Sequence, residues 1–337
     1  MADQYAEWLA AIPKTELHLH LDGSLQAHRM LSLADKHGIH LPYATVSDVE
    51  AAYQFKDLQS FLDLYYLGAS VLRDEDDFYH LMMDYLLVCR DENIVHTEIM
   101  IEPQTYAPNG VEFATMMAGF SRAIDEAAEN WGQSVGLILS LLRHLSEEDA
   151  LQTLQAADAF RDQFIAIGLA SSELGNPPEK FVRLYAAARE RGYRLVAHAG
   201  EEGPAEYIWQ ALNLLHVDRI DHGVRCLEDP DLVAHLAKAR IPLTVCPLSN
   251  VRLCVFDHMR DHTLVQLLEQ GLCVTVNSDD PAYFGGYLSA NYLALQASLG
   301  MDRAQTLKLI QNGFEASFLA DSVKDAYLKQ LSEWPDS

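Results

Sequence analysis

Glu16-Leu17-His18-Leu19-His20-Leu21 alternates leucine with residues that can carry a proton or bind a metal. Side chains two apart on a strand point the same way, so a β-strand here sends His18 and His20 to one face and the leucines to the other. Seven further short, apolar, β-rich runs follow, at 95–102, 136–142, 164–170, 194–199, 219–224, 241–248 and 272–278. Between most of them lie longer stretches, such as 178–191 and 230–239, with apolar residues at i, i+3 and i+4, the spacing of an amphipathic helix. Strands alternating with helices imply a parallel sheet, and eight such units close a (β/α)8 TIM barrel.

The spacing is irregular only after the first strand, where residues 23–93 separate it from the second. Within this gap, 57–72 carries an apolar stripe of Leu58, Phe61, Leu62, Tyr65 and Tyr66. The segment reads as a helical insertion after the first strand. Its stripe can be core for a helix packed on the barrel, a cover over a site, or both. No low-complexity tract or Gly/Ser linker divides the 337 residues, so the expectation is a single domain over 1–337.

Hydrophobic residues at 49% and charged ones at 22% are ordinary for a globular protein, but a net charge of −25 is not. Such a surface repels phosphate backbones and anionic lipid, which disfavours nucleic-acid and membrane partners. The five cysteines are scattered and form no CxxC, so zinc ribbons and disulfide frameworks are not expected. The N-terminal residues lack a basic segment followed by an apolar one, and no run of 18 apolar residues occurs. The expected location is the cytoplasm.

Residues able to hold a metal or move a proton sit at the ends of these strands, which in a barrel converge on one face. The fifth run ends in His198-Ala-Gly-Glu201, the sixth in Asp221-His222-Gly223, and the eighth in Asn277-Ser-Asp279-Asp280-Pro281. Singly, each has a plain explanation, since a strand-end histidine is more often a hydrogen-bonding residue than a ligand and Asp-Pro is common in turns. Four such features on one barrel face point instead to a site. His18, His20, His198 and Asp279 make three neutral imidazoles and a carboxylate, a set that suits Zn²⁺ better than the oxygen-rich sites of Mg²⁺ or Ca²⁺. A catalytic zinc lowers the pKa of a bound water toward about 7. Glu201, past a glycine turn from His198, is placed as a non-ligating acid/base; His222 is placed to orient the hydroxide, and Asp280 to hold a substrate.

Lys14-Thr-Glu-Leu-His-Leu-His-Leu-Asp-Gly-Ser24, His198-Ala-Gly-Glu201, Arg219-Ile-Asp-His-Gly-Val224, Cys246-Pro-Leu-Ser-Asn250 and Asn277-Ser-Asp-Asp-Pro281 together resemble the motifs of the adenosine/adenine deaminase family of metal-dependent hydrolases. They occur in family order, and the resemblance runs from about residue 8 to 320. It implies a barrel enzyme with one Zn²⁺ per chain that replaces the 6-amino group of a purine by oxygen. By position, His18, His20, His198 and Asp279 match the zinc ligands, Glu201 the proton donor, His222 the catalytic histidine, and Asp280 the residue that contacts the purine ring.

Residues 55–63, Glu201-Glu-Gly-Pro204, 246–256 and 280–287 are similar to the adenine deaminase branch. That similarity implies conversion of adenine to hypoxanthine and ammonia in purine salvage. Adenosine and N6-substituted adenines are the alternative substrates, and a non-catalytic purine-binding barrel is the alternative outside the enzymes. Three positions depart from the branch pattern: Asp22 in place of Glu, Ala170 in place of Asp, and Asn176 in place of His. Asp22 is the choice of the adenosine branch near the ribose. Tyr283 and Phe284 are expected either to close the space a ribose would need or to be barrel-top core. The Pro-Cys-x-x-Cys of cytidine-type zinc deaminases is absent.

Overall fold

The computed structural model describes residues 2–335. Eight strands form one parallel sheet in sequential order: β1 (Lys14–His20), β2 (Ile94–Ile101), β3 (Ser134–Leu142), β4 (Phe164–Ala170), β5 (Arg194–Ala199), β6 (Arg219–His222), β7 (Leu243–Val245) and β8 (Val274–Val276). Past the end of β8, Asp279 N donates to His18 O at 3.1 Å and His20 N donates to Asp279 O at 3.0 Å, which joins the last strand to the first. The chain is therefore the expected (β/α)8 barrel. All eight expected runs are strands, although β7 and β8 are only three residues long. Prolines bound β7: Pro242 precedes it, and Pro247 opens the helix Pro247–Arg252, because a proline has no N–H to donate to a ladder but fits a helix's first turn.

Leu19 and Leu21 pack into the main core, as the alternation requires, while Leu17 joins a separate cluster with Cys273 and Ala316. The β1–β2 register shifts between Glu16 and Leu19, which breaks strict alternation there yet leaves both histidines buried. Inside the barrel, Met100, Ile138, Ala166 and Val196 form their own cluster, against which Phe318 packs. Arg219 is also buried there, with Nη1 2.6 Å from Glu98 Oε2 and its guanidinium 4.6 Å from the Phe318 ring. These residues plug the interior, so the barrel is a packed core and not a channel.

The segment after β1 folds into helices Ala27–His37, Val46–Ala51, Leu58–Ala69 and Glu75–Asp91. Glu75–Asp91 buries Phe78, Leu81, Met82, Tyr85 and Leu86 and packs against β2 and the helix Phe113–Trp131, so it belongs to the outer wall. Leu58–Ala69 is different, because its stripe faces the strand ends. It starts at a capping box in which Ser60 N donates to Asp57 Oδ1 at 2.8 Å and Asp57 N donates to Ser60 Oγ at 3.3 Å. Leu58 N, one of the donors that a helix start leaves free, donates to Glu202 Oε1 at 3.0 Å. That bond fastens the helix to the loop that carries Glu201. Among the described residues no helix is long and apolar enough to cross a membrane.

Candidate active site

The ends of β1, β5 and β6 and the turn after β8 bring all seven expected site residues into one buried cluster. His18 Nε2 and His20 Nε2 lie 3.1 and 3.2 Å from His198 Nε2. Asp279 Oδ1 is 3.4 Å from His18 Nε2 and 3.5 Å from His20 Nε2. On the far side, His222 Nε2 is 3.6 Å from Asp279 Oδ2 and 3.5 Å from Glu201 Oε2.

Local backbone geometry turns these side chains inward. His222 (φ +66°) and Asp279 (φ +63°) both adopt the left-handed conformation, which costs a non-glycine residue about 1–2 kcal/mol each. Gly200 (φ +74°) makes the turn between His198 and Glu201, where a Cβ would come within 2.5 Å of Ile208 Cδ1. Gly23 packs against Asp280 so closely that a Cβ would lie 2.1 Å from Asp280 Oδ1.

The nitrogen protonation states test whether a metal fits. His20 Nδ1 is 2.7 Å from Glu102 Oε1 and donates there, which leaves Nε2 as the nitrogen that faces the cluster. Burial lowers the pKa of this ring, but the Glu102, Asp280 and Asp279 carboxylates outweigh it and push it up to about 10, so without a cation His20 carries a charge. His18 Nδ1 faces the Thr244 carbonyl at 3.2 Å and Thr244 Oγ1 at 2.9 Å; a carbonyl only accepts, so Nδ1 carries a proton and Nε2 is the nitrogen that faces the cluster. The Nε2 atoms of His18 and His20 thus both face His198 Nε2. Burial first, then the imidazoles of His18, His222 and His20, drives His198 well below the ordinary histidine range, so this ring is neutral. Neither lysine nor arginine lines the cavity. Imidazole nitrogens aimed at one point beside a carboxylate, where the carboxylates already draw a positive charge onto His20, suit a borderline-soft divalent cation. Ligand atoms of His18, His198, His222 and Asp279 all lie within 4.8 Å of one another, as do those of His20, Asp279 and Asp280.

Beside the cluster opens a small cavity. One wall is the Leu58–Ala69 stripe of Leu58, Phe61, Leu62, Tyr65 and Tyr66, with Leu253; the floor is His20, His198, Glu201, His222, Asp279 and Asp280. The stripe is therefore both core and cover. Glu201 Oε1 and Asp280 Oδ1 are buried and have no hydrogen-bond partner. Burial, then the Asp279 and Glu173 carboxylates, pushes the Glu201 carboxyl well above its ordinary range.

Tyr283 and Phe284 do not line the cavity. They are 1% exposed and pack behind Phe61, with ring centroids at 5.5 and 4.7 Å, so they buttress the covering helix as core. The three departures from the branch pattern also lie outside the lining. Asp22 accepts from the Tyr106 hydroxyl and, at 3.4 Å, from the Tyr65 hydroxyl. Asn176 is tied to its own loop and to Lys180, and Ala170 is buried at the end of β4.

Three supporting residues escaped the reading of the sequence. Glu102, just past β2, fixes the His20 ring, and only its place at a strand end hinted at this. Glu173 accepts four backbone N–H groups, from Gly200 (2.6 Å), Glu201 (3.1 Å), Glu202 (2.8 Å) and Gly203 (2.7 Å). It clamps the loop that carries Glu201, and acceptance from backbone leaves no sequence pattern. Thr244 bridges His18 and Asp221, donating to Asp221 Oδ1 at 2.9 Å.

A profile of the family described as adenosine deaminase matches residues 13–334. An adenine deaminase from Hahella chejuensis is 52% identical over 328 residues, covering 97% of this chain and 98% of that protein. One from Stutzerimonas stutzeri is 56% identical over 310 residues, covering 92% and 98%. The crystal structure of an adenine deaminase from Arthrobacter aurescens superposes with a TM-score of 0.94 at 46% identity, covering 96% of this chain and 99% of that one. An amidohydrolase from Burkholderia ambifaria, solved with bound Zn, superposes with a TM-score of 0.88 at 28% identity, covering 97% and 92%.

Proposed function

The chain belongs to the adenosine deaminase family, and from that premise we propose that it hydrolyses adenine to hypoxanthine and ammonia, with one Zn²⁺ held by His18, His20, His198 and Asp279. The observation that carries the reading is the pair of buried, unpartnered carboxyl oxygens, Glu201 Oε1 and Asp280 Oδ1, beside the converging imidazole nitrogens. A buried polar atom without a partner is costly, and two of them on the cavity floor call for a ligand with complementary polar edges. A purine has such edges. When bound, Zn²⁺ would lower the pKa of water toward about 7, so that hydroxide is available at neutral pH.

The chain's own residues do the rest. The side chains of Leu58, Phe61, Leu62 and Leu253 exclude water from the faces of the base. Asp280 Oδ1 meets the ring edge and fixes its position. Glu201 gives a proton to N1 as hydroxide oxygen adds at C6, takes up the proton of that added hydroxyl, and passes it to the amine as the C6–N6 bond breaks, C6=O forms and ammonia leaves; such acid/base assistance contributes about 10²–10⁴-fold. His222, between Glu201 and Asp279, orients the attacking oxygen.

A free base fits better than a nucleoside. Asp22, the one residue of adenosine-branch type, is occupied by two tyrosine hydroxyls and lies off the cavity. At the mouth, Tyr66 Oη and Ser171 Oγ bond each other at 2.8 Å, and Ser171 also bonds His144. Both hydroxyls are thus engaged with protein partners. The activity belongs to purine salvage, and a reducing cytoplasm agrees with five free cysteines. A kcat/KM panel over adenine, adenosine and N6-methyladenine tests the reading. Adenine should lead adenosine by at least tenfold, a gap beyond what about one methylene of pocket room provides. Faster turnover of adenosine would overturn the choice of substrate.

A further inference from the structure

Behind the site, away from the cavity, three side chains form a hydrogen-bonded line that ends on His222. Leu264 N, the first N–H of the helix Leu264–Glu269, donates to His262 Nδ1 at 3.1 Å. His262 Nε2 is 3.2 Å from Asn250 Oδ1, and Asn250 Nδ2 is 3.4 Å from His222 Nδ1. His262 and Asn250 are both buried, 5% and 0% exposed.

The direction of every bond in this line follows from its first member. A helix start leaves N–H groups without an intrahelical acceptor, and Thr263 gives this one no side-chain cap, so the imidazole accepts it. A backbone N–H can only donate, so His262 Nδ1 is bare. A neutral ring bare at Nδ1 carries its proton on Nε2, and burial keeps His262 neutral by pulling its pKa down to about 3. The Asn250 atom facing Nε2–H must then be the oxygen, which turns the amide nitrogen toward His222. An amide nitrogen only donates, so His222 Nδ1 is bare in turn and its proton sits on Nε2, facing Glu201 and Asp279.

We propose that His262 and Asn250 are positioning residues that hold His222 as its Nε2–H tautomer, making this ring a hydrogen-bond donor at the reacting centre and not a metal ligand. The proposal rests on the reading of His222 as a member of that centre. It also decides between the two overlapping groups of ligand atoms in the cluster. His222 lies close enough to His18, His198 and Asp279 to complete a site. A protonated Nε2 has no lone pair, however, so the third imidazole passes to His20, whose Nδ1 is taken by Glu102 and whose Nε2 faces the centre.

The test is ¹⁵N NMR of the full chain, metal-loaded and chelator-treated, with histidine labelling and His222 assigned by its loss in His222→Gln. The expected wild-type spectrum shows His222 protonated on Nε2. Asn250→Asp is isosteric but only accepts, so it should move the proton to Nδ1. His262→Phe frees the Asn250 amide to turn and should give a mixture. With the shift in Asn250→Asp, kcat should fall at least about 10²-fold while KM stays within threefold; a wrong tautomer of a catalytic imidazole costs about 10⁴-fold in a well-studied case. A wild-type His222 protonated on Nδ1, or a tautomer unchanged in both variants, would overturn the proposal. If the tautomer switches in a protein that does not deaminate adenine, the relay stands and the assigned reaction fails.

Discussion

Glu173→Gln is the perturbation that most directly asks whether loop geometry controls Glu201. The Glu173 carboxylate is 1% exposed, and its acceptor load is uneven: Oε1 takes the Gly200 N–H, and Oε2 takes those of Glu201, Glu202 and Gly203. A glutamine seats its one oxygen where three bonds are made and turns its NH₂ toward Gly200 N–H. One bond is lost outright, that buried donor goes unsatisfied, and the other three lose charge assistance. Leaving one buried donor unpaired costs about 1–3 kcal/mol. Gly200 must then withdraw from the new donor, and the loop moves with it. A displacement near 1 Å of a positioning element costs on the order of 10²-fold in rate. The expected variant folds with a melting temperature a few degrees lower, keeps its metal, and loses about 10²-fold in kcat for adenine. The ultraviolet change on hypoxanthine formation, differential scanning calorimetry and elemental analysis measure the three. If Glu173→Gln keeps kcat within threefold of wild type, the clamp does not position Glu201 and the reasoning fails.

Other outcomes follow from the same geometry. Glu201→Gln should leave metal content near wild type while kcat falls by on the order of 10² or more, and parallel loss of metal would make Glu201 a ligand. Asp279→Ala should depress metal content, because it removes the one carboxylate facing both His18 and His20; full metal retention would remove it from the ligand set. Burial pushes the Glu98 carboxyl up, but Arg219 and then the His96 bond outweigh it and hold the pKa at about 2, below the ordinary 4.5. That stabilisation is present in full above about 4.5 and is lost as pH falls toward 2, so the acid limb of the unfolding profile should flatten in Glu98→Gln. An unchanged acid limb would place the pair's contribution near zero.

The barrel was legible because each strand is a short apolar run buried on both faces, and that pattern survives in a single sequence. The ends of β7 and β8 were overextended for a local reason. Pro247 starts a helix where the apolar run 241–248 continues, and the chain after Val276 turns to bring Asp279 inward at φ +63°. The residues that do chemistry were legible because metal-binding and proton-moving side chains are unusual at strand ends. The groups that aim them were not. Glu173 works through backbone donors nearly thirty residues downstream, and His262 works through an amide twelve residues upstream. Such roles depend on where folded segments meet. Asp22 shows the converse: by residue type it points to a ribose, yet in the fold Tyr106 and Tyr65 take up its carboxylate.

The central claim is hydrolysis of adenine at the His18, His20, His198 and Asp279 centre. Single-turnover reaction of the zinc-reconstituted protein with adenine in H₂¹⁸O tests it most directly. One ammonia and one hypoxanthine bearing ¹⁸O at C6 should form per adenine consumed, with turnover lost on chelation and restored by about one Zn²⁺ per chain. Hypoxanthine without ¹⁸O, or undiminished turnover in the metal-free protein, would contradict it.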